Sequence, residues 1–175
     1  MTQASIEKEN VVDLESKLSN SDKSNAEIKK YVYASVAAGF LPVPFLDLAA
    51  VTGIQLKMIH SISKNYKLTF SKEISKAAIV SLVGGLSTHS LATRGVASLI
   101  KFVPVVGHVA GAAAVSTIAG ASTYAVGKIF IKHFEAGGTL LDFNAESMKD
   151  HFKKLYTEGE QEVSSTVDEV KKSKS

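Results

Sequence analysis

Apolar residues recur at helical spacing in several segments of the chain. Val11, Leu14 and Leu18 predict a short, weakly amphipathic helix near the N-terminus. A polar loop is expected at residues 19–25, and Ser24 and Glu27 have the spacing of a capping box. We therefore expect a new helix to begin at Ser24 and to continue into the apolar residues 31–40.

Two apolar segments that contain proline predict bends. Proline lacks the backbone donor of a helix and disfavours a helical residue before it, so the preceding helix has to end or kink. The two segments carry similar residue types in the same order, FLPV at 40–43 and FVPV at 102–105. This similarity indicates either an internal duplication or a coincidence in a chain rich in apolar residues. We predict that these bends are the membrane-inserting tips of helical hairpins: Phe40, Leu41, Pro42, Val43, Pro44 and Phe45 in the first, and Phe102, Val103, Pro104 and Val105 in the second.

The segment after the first bend is amphipathic and leads into a basic zone. Its apolar face comprises Val51, Ile54, Met58 and Ile62. Ser71 is expected to cap a third helix, which Gly84 and Gly85 interrupt or soften. Each lysine near an anionic lipid surface contributes about 1 kcal/mol to the free energy of membrane binding. The zone is therefore a predicted basic patch for lipid headgroups or a partner, and it contains Lys57, Lys64, Lys67, Lys72 and Lys76.

The most hydrophobic stretch, residues 107–134, carries a stripe of small residues. Such a stripe lets another helix backbone approach closely, as is favoured in membranes, but Ala- and Gly-rich helices of soluble proteins pack in the same way. Both interpretations stay open. The predicted helix-packing stripe is Gly107, Gly111, Ser116, Gly120, Thr123 and Gly127.

Only residues 109–131 have the length of a membrane span, since about 20 apolar residues are needed to cross roughly 30 Å of hydrocarbon. The limbs around the first bend are too short or carry Asp47 and Lys57. We therefore expect hairpins that enter one leaflet and return, with the basic zone facing the cytoplasmic surface. Asp47 has three open interpretations, of which a helix cap is favoured over a partner for lysine or a polar site at membrane depth.

The C-terminal residues 135–175 predict an amphipathic helix that begins after the capping residue Asn144. Gly159 argues against one unbroken helix, and the last residues are expected to fray. The resulting division is a polar N-terminal helix and linker at 1–25, an apolar basic helical core at 26–134, and this C-terminal helix and tail. The predicted fold is all-α, with proline-bent hairpins flanked by amphipathic helices.

Charge separates the same regions. The chain of 175 residues is 45% apolar with a net charge of +3. Residues 31–134 carry nine basic residues and two acids, which gives +7, whereas residues 1–30 sum to −1 and residues 135–175 to −3. A single Arg among the basic residues makes nucleic acid an unexpected partner.

Motifs for catalysis are missing. The chain has no Cys, which excludes disulfides and thiol chemistry. Gly127 and Lys128 are followed by Ile129, so they form no P-loop, and no two histidines have the i, i+4 spacing of a helical zinc site. Ser87 and His89 lack the glycine pattern of a nucleophile elbow. We expect no enzyme, no metal site and no cofactor.

Residues 31–152 resemble the bacterial domain of unknown function 697 family. The resemblance lies in LPVPFLDLAAVTGIQLKMIHSISKNY, in KFVPVVGHVAGAAAVSTIAGASTYAVGKIFIKHFEAGG and in LLDFNAESMKDHFKKLY, in that order. It implies a helical, membrane-associated domain that is often fused to or found beside a small Era-like GTPase, without established catalytic residues. This chain contains no GTPase, so such a partner would be a separate protein.

Two functions follow as expectations. The first is a non-enzymatic, membrane-associated helical protein on the cytoplasmic face, a scaffold or partner-binding module whose hairpins insert into or span the membrane. The alternative is a soluble all-helical interaction module or homo-oligomer that partners a separate small GTPase.

Overall fold

Five helices make up the part of the chain that the structure describes, and this confirms the all-α class. The structure is a computed structural model that describes residues 3–40, 46–84 and 107–173. Of the bends predicted at 40–45 and 102–105, only Phe40 lies within these residues, where it is half-buried and packs against the core. Residues 41–45 and 102–105 lie outside them, as do Ser87 and His89. The helices are α1 (Gln3–Gly39), α2 (Leu46–Asn65), α3 (Lys72–Gly84), α4 (Gly107–Glu135) and α5 (Ala145–Ser173).

Helix α1 is continuous, so the loop predicted at residues 19–25 and the helix start at Ser24 are wrong. Ser24 is fully buried, and its hydroxyl accepts a hydrogen bond from Asn65 Nδ2 at 3.1 Å. Asn25 Oδ1 accepts one from Lys128 Nζ at 2.6 Å. These partners on α2 and α4 stabilise the helix where its local sequence favours a loop, which is how tertiary packing overrides propensity.

Neighbouring long helices run antiparallel. Between α1 and α2, Ser24 pairs with Asn65 near one end, and Tyr31 Oη lies 3.2 Å from Ser61 Oγ further along. Helices α1 and α4 are antiparallel as well, and so are α4 and α5. Val83 near the end of α3 lines a groove together with Val51 of α2 and Val115 of α4. The C-termini of α1 and α3 and the N-termini of α2 and α4 therefore meet at one end of the bundle.

The core runs between these helices. Its fully buried large side chains come from all five of them and include Phe130 and Phe152, which is the expected result of amphipathic helices that share one apolar interior. The predicted apolar face of α2 contributes Met58 and Ile62. Val51 and Ile54 of the same face are half-buried.

Local signals fix three helix ends. The Ile74 amide donates to Ser71 Oγ at 3.4 Å, and the Ser147 amide donates to Asn144 Oδ1 at 3.2 Å, so both predicted N-caps are confirmed. Helix α4 ends in a Schellman motif, with Gly137 at φ 86° and the Gly138 amide bonded to the His133 carbonyl.

Helix α5 passes through Gly159 without a break, so the interruption expected there is wrong. A β-carbon at Gly159 would lie 2.9 Å from the Ala121 carbonyl oxygen. The glycine is thus accounted for by the close approach of α5 to α4.

Candidate functional site

Helix α1 lies on the described part of the small-residue stripe. A β-carbon on Gly120 would lie 2.7 Å from Val36 Cγ2, and one on Gly127 would lie 2.6 Å from Ile28 Cγ1. Ser116 packs at the same interface and is buried. The surroundings of Gly107 and Gly111, at the start of α4, are not described. The described stripe is therefore used for packing inside one chain.

A hydrogen-bonded polar cluster crosses the interior beside this stripe. Ser35 and Thr123 share a hydrogen bond of 2.8 Å between their hydroxyls. Gln55 Nε2 donates to Thr123 Oγ1 at 3.2 Å and to Ser122 Oγ at 3.3 Å. All four side chains are buried, and the cluster joins α1, α2 and α4. Small residues combined with Ser, Thr and Gln bonds across helices are frequent where helices pack in lipid, and close packing at small residues also occurs in soluble helical proteins.

On each of four helices, the first Lys or Arg met when one moves away from the end where α1 and α3 finish is a lysine. These residues are Lys30 on α1, Lys57 on α2, Lys76 on α3 and Lys128 on α4. We call the region beyond them, residues 31–40, 46–56, 77–84 and 107–127, the lysine-bounded end. Asp47 is the one Asp, Glu, Lys or Arg within these four ranges.

The depth of the lysine-bounded end matches half a bilayer on three helices. At 1.5 Å per residue, Lys30 lies about 14 Å from Gly39, Lys57 about 16 Å from Leu46, and Lys76 about 12 Å from Gly84. One leaflet of hydrocarbon is about 15 Å thick, half of the roughly 30 Å core. Lys128 lies further along α4, where it contacts Asn25.

Exposed apolar side chains concentrate at the same end. Of the five large hydrophobic residues that the described side chains leave exposed, four belong to the lysine-bounded end: Tyr33 (51%), Val80 (58%), Val115 (40%) and Ile118 (38%). The fifth, Leu141, lies in the α4–α5 connection at the opposite end. Val80, Val115 and Ile118 line one groove, and contiguous exposed apolar groups of this kind are typical of interaction surfaces.

The structure divides the predicted basic patch into two sets. All five lysines are exposed. Lys57 and Lys76 border the lysine-bounded end, whereas Lys64, Lys67 and Lys72 lie in or beside the α2–α3 connection. Because α2 is 20 residues long, Lys64 is about 27 Å from Leu46. The two sets of lysines therefore lie at different levels along the axis of the bundle.

Acidic residues of α5 approach the lysine-bounded end from one side. Val163 packs against Gly120 of α4, and Gly120 also faces Val36 of α1. Asp168 is five residues further along α5, or about 7 Å nearer the end where α1 finishes. Asp168 and Glu169 are both exposed. The lysine-bounded end is thus flanked by carboxylates on its α5 side.

Among the described residues, no group of three or more His, Asp or Glu side chains is placed so that it could hold a metal ion. The His60 ring lies 4.7 Å from that of Phe70, and His133 Nε2 lies 2.8 Å from the Thr139 carbonyl oxygen. Asp47 is the second residue of α2 rather than the residue before it, and its side chain is outside the description.

Burial, the largest cause, and the negative charge of Glu135 together raise the pKa of Tyr66 to about 12. The Tyr66 hydroxyl donates to Glu135 Oε1 at 3.3 Å. This contact lies at the end of the bundle opposite the lysine-bounded end and links the α2–α3 connection to the end of α4. It is a structural link between those two elements.

Within the described residues, Ala112–Glu135 is the one helical segment that is long and apolar enough to cross a membrane. It has 24 residues and a mean hydropathy of 1.3, and 67% of its most apolar stretch is buried inside the protein. A core helix of a soluble protein satisfies the same criterion, so this segment is weak evidence for a span.

Comparisons with known proteins add three findings. Residues 8–161 match the family described as "Domain of unknown function (DUF697)". Over 132 residues the chain is 40% identical to the "Magnetosome membrane protein 22" of Magnetospirillum gryphiswaldense. The matched region covers 75% of this chain and 68% of that protein. No solved structure gives a significant match.

Proposed function

The chain belongs to the DUF697 family, and we propose that it is a non-enzymatic helical protein that associates with the cytoplasmic face of a membrane. Its lysine-bounded end enters one leaflet, and the rest of the bundle stays in water. There it acts as a scaffold or partner-binding module.

The observation that carries this proposal is the position of the exposed apolar side chains inside the lysine border. The exposed apolar side chains Tyr33, Val80, Val115 and Ile118 occupy the region that Lys30, Lys57 and Lys76 border. Lysines at such a boundary keep their ammonium groups among the headgroups while their stems lie along apolar surface. The surface therefore has the order of a leaflet, apolar inside and cationic at its border.

The relative supports the location. A protein named for a membrane is 40% identical to this chain over 132 residues, which favours lipid as the contact of the exposed apolar side chains. The lysine border favours the cytoplasmic leaflet, because its anionic lipids attract basic residues.

The outer surface of α5, whose carboxylates flank the lysine-bounded end on one side, stays in water and is available to partners. Exposed residues of α5 include Glu158, Glu162, Asp168 and Glu169, and they give this helix an acidic outer surface. We propose that this surface meets a separate protein, and a small GTPase is the class that the family resemblance implies. A second copy is the other partner, and it would have to use a surface other than the described stripe.

A soluble interaction module is the second candidate. The observation in its favour is the burial of 67% of the most apolar part of α4, mainly beneath α1 and α5. In this case the same exposed apolar residues would contact a protein instead of lipid.

Fractionation of expressing cells separates the two candidates. Membranes are sedimented, washed with alkaline carbonate and assayed for the chain. Insertion into a leaflet predicts retention in the washed pellet, with a variant carrying Tyr33→Ser, Val80→Ser and Ile118→Ser released into the supernatant. Recovery of the wild-type chain in the soluble fraction would refute membrane insertion and favour the interaction module.

A further inference from the structure

A groove of about 390 Å³ opens on the lysine-bounded end between α2, α3 and α4. Its volume falls within the range of small-molecule sites. The walls are mainly apolar, and the residues that matter here are Val51, Gln55, Ile79, Val83, Ile118 and Ser122. Exposed Val80 and Val115 form part of the rim.

Two of the three polar side chains in the wall, Gln55 and Ser122, form hydrogen bonds inside the protein, and Thr52 is the third. Gln55 Nε2 donates to Ser122 and Thr123, and Ser122 Oγ donates to the Ala119 carbonyl at 3.0 Å. Gln55 is only 1% exposed. The groove thus offers an apolar wall rather than a set of free donors, which favours a hydrocarbon chain over a sugar or a nucleotide.

Charge at one end of the groove indicates what the hydrocarbon belongs to. Lys76 is one helical turn before Val80 and two turns before Val83, so the three lie on the same face of α3. Lys76 is exposed. Along α3 the order is cation first and apolar groove second, which is complementary to an anionic headgroup followed by its acyl chains.

We propose that the groove binds an acyl chain of an anionic phospholipid whose headgroup pairs with Lys76. The inference rests on the proposed function, because insertion of the lysine-bounded end would bring the groove to the depth of the acyl chains. The proposed function requires only that the lysine-bounded end enters the leaflet, and this inference adds a discrete binding site for one lipid. The bound lipid would then lie against α2, α3 and α4 together.

The site is tested in solution, apart from any membrane. The full chain is titrated with monomeric dihexanoyl phosphatidylglycerol, and binding is followed by calorimetry. Dihexanoyl phosphatidylcholine and glycerol phosphate serve as the neutral-headgroup and headgroup-only probes. We expect saturable binding of the phosphatidylglycerol, weaker binding of the phosphatidylcholine and none of the glycerol phosphate.

Two groove variants and a matched control locate the binding. Val83→Phe and Val51→Phe fill the groove from opposite walls and should each weaken binding about tenfold or more, equivalent to at least about 1.4 kcal/mol. Ala77→Phe adds the same side chain to an exposed position of α3 outside the groove, and should leave binding unchanged. Lys76→Gln should weaken binding of the phosphatidylglycerol about fivefold, the effect of about 1 kcal/mol per lysine.

Circular dichroism of the helices and thermal unfolding identify any variant that fails to fold. If one of the two groove variants does not fold, the binding measured with the other one tests the site. Wild-type affinity in a folded groove-filled variant, or failure of the wild-type chain to bind, would overturn the lipid site. Sedimentation with vesicles of equal parts phosphatidylglycerol and phosphatidylcholine tests insertion separately. Vesicle binding without groove binding would refute this inference alone, and groove binding without vesicle binding would refute the proposed function alone.

Discussion

Gly39 at the end of α1 lies against the backbone of Ser116 in α4. A β-carbon on Gly39 would be 2.6 Å from Ser116 Cα and 2.9 Å from Ser116 N. Since the atoms in the way are backbone, no side-chain rotation can relieve the overlap. Gly39 therefore sets the separation of α1 and α4 at the lysine-bounded end.

Gly39→Ala should lower the free energy of unfolding by about 1 to 3 kcal/mol, the usual cost of overpacking. The matched control is Gly53→Ala in the interior of α2, where a β-carbon would meet nothing within 4 Å. That change should raise stability by about 0.5 to 1 kcal/mol, because alanine favours a helix over glycine. Urea unfolding measures both, and equal effects of the two substitutions would contradict this packing.

The interior polar cluster gives a second prediction. Thr123→Val keeps the branched shape but removes the oxygen that bonds to Ser35 and Gln55, so it should cost about 1 to 3 kcal/mol of unfolding free energy. Thr117→Val is the control on the same helix. Its half-buried hydroxyl donates to the Ala113 carbonyl of the same helix at 3.0 Å, and the expected change is within about 0.5 kcal/mol. A Thr123→Val variant as stable as wild type would show that the cluster contributes little.

Local chemistry in the sequence predicted part of the fold. Ser71 and Asn144 were recognisable as caps because each bonds to an amide three residues away. The continuity of α1 was not predictable in this way. It depends on Asn65 and Lys128, which are 41 and 103 residues from their partners Ser24 and Asn25.

The candidate site shows the same division. Spacing along α4 predicted the small-residue stripe, but it contained no sign that α1 would be the helix lying on it. Lys57 and Lys76 were visible as basic residues. The border they form with Lys30 and Lys128 appears only after antiparallel packing brings the four helices together, because these lysines are far apart in sequence.

A third prediction concerns the lysine border. The double variant Lys57→Gln/Lys76→Gln should bind vesicles containing phosphatidylglycerol more weakly, by about fivefold for each lysine removed. The control is Lys64→Gln/Lys67→Gln, which removes the same charge from the α2–α3 connection and should have a smaller effect. Sedimentation with vesicles at low salt provides the measurement.

The opposite change gives a second check of this border. Asp168→Asn/Glu169→Gln removes carboxylates beside the lysine-bounded end and should strengthen vesicle binding. Glu146→Gln/Asp150→Asn at the start of α5 should leave it nearly unchanged. If net charge alone determined affinity, both lysine pairs would weaken binding equally and both acidic pairs would strengthen it equally.

A fourth prediction follows from the raised pKa of Tyr66. Its pKa is about 12 in the folded chain and near 10 in an unfolded one, so between pH 10 and pH 12 the unfolded chain gives up the phenol proton first. Tyr66 should therefore lower the stability of the fold as pH rises through this window and have no such effect below it. Urea unfolding from pH 9 to pH 11 tests this direction.

Glu135→Gln tests the cause of this shift. The variant removes the carboxylate charge near Tyr66, so the pKa of Tyr66 should fall, although burial, the larger cause, keeps it above its usual value. Ultraviolet absorbance of tyrosinate follows the ionisation of the tyrosines as pH rises. The late phase of this titration is the part at the highest pH, and a Tyr66→Phe variant shows how much of it belongs to Tyr66. A late phase that is identical in the Glu135→Gln variant would contradict the role of Glu135.

The orientation of the chain on lipid is the most direct test of its proposed function. Because the chain has no Cys, Tyr33→Cys at the lysine-bounded end and Leu141→Cys at the opposite end each accept a single environment-sensitive label. On vesicles with acyl-chain quenchers, insertion predicts blue-shifted, quenched emission at residue 33 and water-like, unquenched emission at residue 141. Water-like emission at residue 33 with vesicles present, or equal quenching at both positions, would contradict it.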